Sequence, residues 1–185
     1  MRTKRGIVAI AALAFLAAGC SDEKPAAAPA PSSTPAPASL SAPMAEVKEP
    51  CSLLSGEAVG KAISVEGVTS KPGPSQTDPV NKGQSKTCVF SGGGKEVGAL
   101  AATRYEGNKV TPAEMIASIK TKKAGAVEVP GVGEGAVYYT EPGTTATLAA
   151  AKIVGGVPTL VSYVGPDKMT QEMMAPLVKQ AVDAQ

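Results

Sequence analysis

Gly135-Ala136-Val137-Tyr138-Tyr139-Thr140-Glu141-Pro142-Gly143 opens the stretch that decides the fold, followed by residues 145–154, Gly155-Gly156 and residues 157–164. β-Branched and aromatic residues fill its runs, and Gly and Pro punctuate them. This pattern predicts three strands: one over 135–140, turning at Glu141-Pro142-Gly143, and then a hairpin folded about Gly155-Gly156. Pro158 predicts an edge or a bulge at the start of the last strand, because Pro has no N–H for a ladder.

A similar group stands upstream. Thr87-Cys88-Val89-Phe90-Ser91 and residues 97–105 read as strands joined at Gly92-Gly93-Gly94. A further strand is expected near 65–70, a long loop over the Pro-, Gly-, Asn- and Gln-rich residues 71–85, and a short strand at 127–129.

Helices separate and close these groups. Ser55 is placed to cap a helix over 56–63, with Leu54 and Val59 as a hydrophobic staple. Thr111-Pro112-Ala113-Glu114 is a capping box with Pro at the first helical position. Val110 and Met115 suit a second staple, and Gly125 marks the stop. Residues 168–184 place Met169, Met173, Met174, Leu177, Val178, Ala181 and Val182 on one apolar stripe, which Pro176 should kink. The stripe suits core packing better than an adaptable Met-lined groove. The expected fold is therefore α+β: a single domain with an antiparallel sheet flanked by helices. Strands followed by a helix occur twice, hinting at a duplicated plan without a clear sequence repeat.

The amino terminus is of another kind. Arg2, Lys4 and Arg5 precede the uncharged run 6–19. This is the order of a secretory signal, and as a helix the run would span only about 21 Å of the roughly 30 Å of hydrocarbon. It ends Leu16-Ala17-Ala18-Gly19-Cys20, which resembles the bacterial lipobox. That resemblance implies cleavage between Gly19 and Cys20 and acylation of the Cys20 sulfur, palmitate included. Two or more acyl chains would anchor the chain stably to the extracytoplasmic face of the cell membrane. An ordinary signal with an incidental Cys20 is the alternative.

Seven of the thirty residues 21–50 are Pro, and large apolar residues are nearly absent. Such a segment buries too little to offset ordering entropy and reads as a disordered, semi-rigid tether. Ser32, Ser33 and Thr34 are weak candidates for glycosylation. The expected organisation is thus a signal peptide over 1–19, a lipid-anchored tether over 20–50 and a globular domain over 51–185.

Charge and cysteine content narrow the function. The chain has 18 Lys and Arg against 16 Asp and Glu, and removing Arg2, Lys4 and Arg5 leaves 15 basic residues. The exported chain is nearly neutral, so nothing points to nucleic acid. With Cys20 acylated, Cys51 and Cys88 remain as an even pair in an oxidising compartment, which favours a disulfide over two free thiols.

The domain opens Pro50-Cys51-Ser52-Leu53-Leu54, continues through Thr87-Cys88-Val89-Phe90, and carries Gly131-Val132-Gly133-Glu134-Gly135-Ala136 before its hairpin. These motifs resemble an actinobacterial lipoprotein family of unknown function, whose members often carry Trp or Tyr where Phe90 stands. The resemblance implies a cell-surface domain with no assigned activity, adds support for Cys51–Cys88 pairing, and suits an antiparallel sheet flanked by helices as in Mog1/PsbP-like folds.

Catalytic chemistry is sparse. There is no His, which removes His-based triads, imidazole bases and His-ligated zinc. Ser91-Gly92-Gly93-Gly94-Lys95 lacks phosphate-loop spacing, and Gly131-Val132-Gly133-Glu134-Gly135 lacks the dinucleotide spacing; both read as turns. Asp78, Glu106, Glu134 and Glu141 fall in expected loops, with no spacing that sets two of them across a substrate. Tyr138 and Tyr139 should face opposite sides of a strand, a thin basis for sugar stacking. No catalytic, cofactor or metal residues are assigned. The leading expectation is a monomeric, non-catalytic envelope domain binding a protein, a polymer or a small apolar ligand. The alternatives are a carboxylate-based envelope hydrolase and an accessory subunit of a membrane complex.

Overall fold

The computed structural model describes residues 47–78 and 83–185, Asp78 by its backbone alone. The signal, Gly19, Cys20 and residues 21–46 of the tether lie outside the described residues.

Eight strands form one antiparallel sheet: β1 (Thr69–Pro72), β2 (Gln76–Asp78), β3 (Gly83–Gly92), β4 (Lys95–Tyr105), β5 (Val127–Glu128), β6 (Gly135–Glu141), β7 (Thr145–Val154) and β8 (Val157–Pro166). Their order is β1-β3-β4-β8-β7-β6-β5, with β2 also paired to β3. Each sequence group forms its own meander, and the last strands of the two, β4 and β8, pair at the centre. The fold is α+β, as the strand grouping and turn chemistry predict.

The helices are α1 (Pro50–Leu53), α2 (Gly56–Ile63), α3 (Pro112–Lys122) and α4 (Gln171–Asp183). Helices α1, α2 and α4 pack on one sheet face, over Phe90, Leu100, Leu148, Val161 and Tyr163. α3 lies on the other face, where Ile116 meets Val137, Ala149 and Ala151. The α4 stripe faces inward, with Met174, Leu177, Val178, Ala181 and Val182 buried, so its Met residues serve the core. The helix continues through the exposed Pro176.

The local signals act as their chemistry requires. Ala58 N–H donates to Ser55 Oγ at 3.2 Å, and Leu54 and Val59 are fully buried beside that cap. Glu114 N–H donates to Thr111 Oγ1 at 3.3 Å, while Thr111 N–H donates to Glu114 Oε2 at 2.8 Å, closing the capping box. Those bonds hold the Glu114 carboxyl below the usual range. Cys51 and Cys88 are joined, with Cα atoms 5.1 Å apart, tying α1 to β3. At Gly98 a side chain would collide with the Tyr163 hydroxyl, so glycine there admits the largest buried ring. The Tyr163 O–H donates to Val97 O at 3.3 Å, and burial pushes the phenol well above its usual range.

Several expectations need correction. The strand expected near 65–70 runs over 69–72, and the stretch expected as a loop contains β2 and the start of β3. Pro72 is tolerated because β1 pairs with a neighbour on one side only, and Pro74 falls between β1 and β2. Pro158 lies on a central strand, but the β4 ladder begins one residue later at Thr159, so its missing N–H faces no β4 partner. The last helix begins at Gln171, with Met169 buried in the turn before it. Folded packing also starts ahead of Cys51: Val47 is buried in the core, Lys48 donates to Ala184 O, and Glu49 pairs with Lys86.

Candidate binding surface

Burial along the strands shows how far each sheet face is covered. Residues 146–151 of β7 are buried without interruption, because α3 and α4 cover the strand from both sides. In β3, β4 and β8 buried residues alternate with half-buried ones. Their inward positions lie under α1, α2 and α4. Their outward positions, of which α3 reaches Leu160, form a surface left partly open to solvent.

That open surface has an unusual composition. β3 contributes Ser85, Thr87 and Val89, β4 contributes Ala99, Ala101 and Thr103, and β8 contributes Leu160, Ser162 and Val164. None of the nine is charged. Solvent-facing positions of an antiparallel sheet usually alternate polar side chains against the buried ones, yet here they hold short hydroxyl and aliphatic groups. Thr103 Oγ1 donates across the strands to Ser85 Oγ at 3.0 Å. The result is a smooth surface without long side chains.

A groove of about 700 Å³ borders this surface along the flank of α3. Leu160, Met115 and Ile119 supply apolar wall, and Tyr105, Asn108, Lys109, Glu114 and Lys122 supply polar groups. The opposite flank of α3 faces a second open cleft of about 750 Å³, formed with residues 128–136. Here Gly131 and Gly133 take φ of 76° and 60°, so the expected turn requires glycine at both positions.

Glu134 and Glu141 are not brought together, and the Asp78 side chain lies outside the described residues. Ile153 N–H donates to Glu134 Oε1 at 3.0 Å, so Glu134 pins its turn to the end of β7. Glu141 ends β6, seven residues on from Glu134 and roughly 24 Å away at the rise of a β-strand, and pairs with Lys123 at 2.6 Å. Glu106 sits 4.0 Å from the Nε of Arg104, beyond hydrogen-bonding distance. Among the described residues, no group of three or more Cys, Asp or Glu is placed to hold a metal ion.

Tyr138 and Tyr139 do face opposite sides. Tyr138 O–H donates to Met169 O at 2.8 Å under α4, and burial raises its phenol pKa. Tyr139 lies beneath the Lys123 ammonium, 5.2 Å from the ring centre. Both rings are engaged, so neither offers a free stacking platform.

Most of β3, β4 and β8 is legible in the sequence, and their open face is not. The available signal was the absence of charge at 87–94 and 97–103, where both alternating sets of side chains avoid Lys, Arg, Asp and Glu. Among the described residues, no helix is long and apolar enough to cross a membrane. No family model, no curated protein and no solved structure matches the chain.

Proposed function

We propose that this is a lipid-anchored extracytoplasmic lipoprotein whose domain works by binding, without catalysis, and that the open face of β3, β4 and β8 is its docking surface. One observation carries the reading: nine adjacent outward positions with no charge, half-buried, on a face where α3 packs against Leu160 at one edge. A patch of this kind suits contact with a macromolecule, whereas a small apolar ligand calls for an enclosed pocket. The separate engagements of Glu106, Glu134 and Glu141 weigh against the hydrolase alternative.

The anchor in this proposal rests on the amino-terminal sequence: the charged start, the short apolar run and Leu16-Ala17-Ala18-Gly19-Cys20. The Pro-Cys-Ser-Leu-Leu opening and the Gly133-Glu134-Gly135-Ala136 turn support kinship with the actinobacterial lipoprotein family they resemble. The Pro-rich residues 21–46 would then carry the domain away from the lipid surface.

The test is titration of isotopically labelled protein with envelope glycans, wall polymers and peptides, read by amide chemical shifts. The expected result is perturbation confined to Ala99, Ala101, Thr103, Ser162 and their neighbours, with the probe recovered intact. Time-dependent cleavage of a probe, abolished by Glu134→Gln or Glu106→Gln, would replace this reading with a hydrolase.

A further inference from the structure

Four lysines belong to α3 or flank it closely, and they divide by side. Lys120 pairs with Glu128 and Lys123 with Glu141, each at 2.6–2.7 Å, on the flank away from the open sheet face or at its far end. Lys109 and Lys122 line the groove that borders the open face, and neither has a carboxylate within ion-pair distance among the described residues. The one acid in that lining, Glu114, is committed to the Thr111 cap.

Lys109 precedes the first turn of α3 and Lys122 ends its last. An eleven-residue helix is roughly 16 Å long, so the groove has near each end a cation with no carboxylate partner among the described residues. Leu160 lines the groove, and on the open face beside it stand Thr103, its partner on β4, and Ser162, two residues along β8. The surface thus offers spaced positive charge at its border and short hydrogen-bonding groups on its floor. Tyr138 and Tyr139 are both engaged elsewhere and do not stack a ligand ring here.

We infer that the occupant of this surface is a linear anionic polymer of the polyol-phosphate kind, with phosphates meeting Lys109 and Lys122 and hydroxyls facing the floor. The inference rests on the docking-surface reading above and adds the chemistry of the partner. Flexible, regularly spaced charge on a narrow, uncharged chain matches cations set apart along a groove, and each contact is individually weak and salt-sensitive.

The experiment measures binding of poly(glycerol phosphate) to the intact chain in detergent, at low and physiological salt, with neutral dextran and poly-glutamate as comparison probes. Poly(glycerol phosphate) should bind and weaken as salt rises, and dextran should not bind. Lys109→Gln with Lys122→Gln should weaken binding tenfold or more, while Lys120→Gln with Lys123→Gln changes it less than threefold. Equal loss in both pairs, or no binding, overturns the inference. Preference for poly-glutamate also overturns it, in favour of an acidic peptide. Ala101→Glu separates the two levels: if it blocks dextran or poly-glutamate, the docking surface stands and only the polymer assignment fails. Thermal melts of each variant check that the fold is kept.

Discussion

Replacing Cys51 and Cys88 together by Ala should cost about 4 kcal/mol of stability. The bond closes a loop with a sequence separation of 37 residues. On the chain-entropy model such a closure restricts the unfolded chain by about 13 cal/mol/K, or about 3.8 kcal/mol at 25 °C. Cys88 is fully buried between the sheet and α1, so removing its sulfur adds a small packing loss. A domain of about 140 residues unfolds with an entropy near 0.3 kcal/mol/K, which converts the loss to a Tm lower by roughly 13 °C. Urea unfolding of the soluble chain is the assay. The midpoint should fall and the m-value should rise, because the uncrosslinked chain exposes more surface when unfolded. A double variant within 1 kcal/mol of the parent, with the same m-value, would refute the reasoning.

Arg104 is 2% exposed, its Nε has no hydrogen-bond partner, and its nearest carboxylate lies 4.0 Å away. Arg104→Met would leave the Glu106 carboxylate, whose side chain is 15% exposed, without its cationic partner and should lower stability, by up to about 3 kcal/mol; an unchanged or raised melting temperature would contradict this. Thr111→Ala should cost about 1 kcal/mol by removing the α3 cap. Glu114, Glu128 and Asp183 are all lowered in pKa by their hydrogen bonds, to Thr111, Lys120 and Lys179 respectively. Their contributions are complete above the ordinary carboxylate range and fade as pH falls through the lowered values, so melting should be flat near neutrality and drop only in acid. A fall between pH 6 and 8 would break that account. Cys20→Ala should abolish metabolic labelling by fatty acid and release the protein from membranes; equal labelling of both forms would remove the anchor from the proposal.

Elements with strong local chemistry were legible in the sequence. The Thr111 box, the Ser55 cap, Gly93-Gly94 and Gly155-Gly156 each fix a boundary through interactions within a few residues, and all four act as expected. β1 and β2 were not legible, because their Pro and polar residues carry no hydrophobic period and their strand geometry comes from pairing with β3. Val47 was likewise hidden: its burial depends on α4 and neighbouring elements distant in sequence. The open face is a property of what α3 fails to cover. α3 lies over β6 and β7 and barely reaches β8, a consequence of packing at Ile116, Val137 and Ala149 that no local pattern encodes. Glu134 could be assigned to a turn, but its bond to Ile153 N–H spans nineteen positions.

Site-specific photocrosslinking in living cells tests the central claim most directly. A photoreactive residue is placed at Ala101 or Ser162 on the open face and, for comparison, at the exposed Lys61 on α2 or Glu172 on α4. The account predicts discrete crosslinked species from Ala101 and Ser162, lost when Ala99→Glu is added, and none from Lys61 or Glu172. Crosslinks of equal strength from all four positions, or none from the open face, would contradict it.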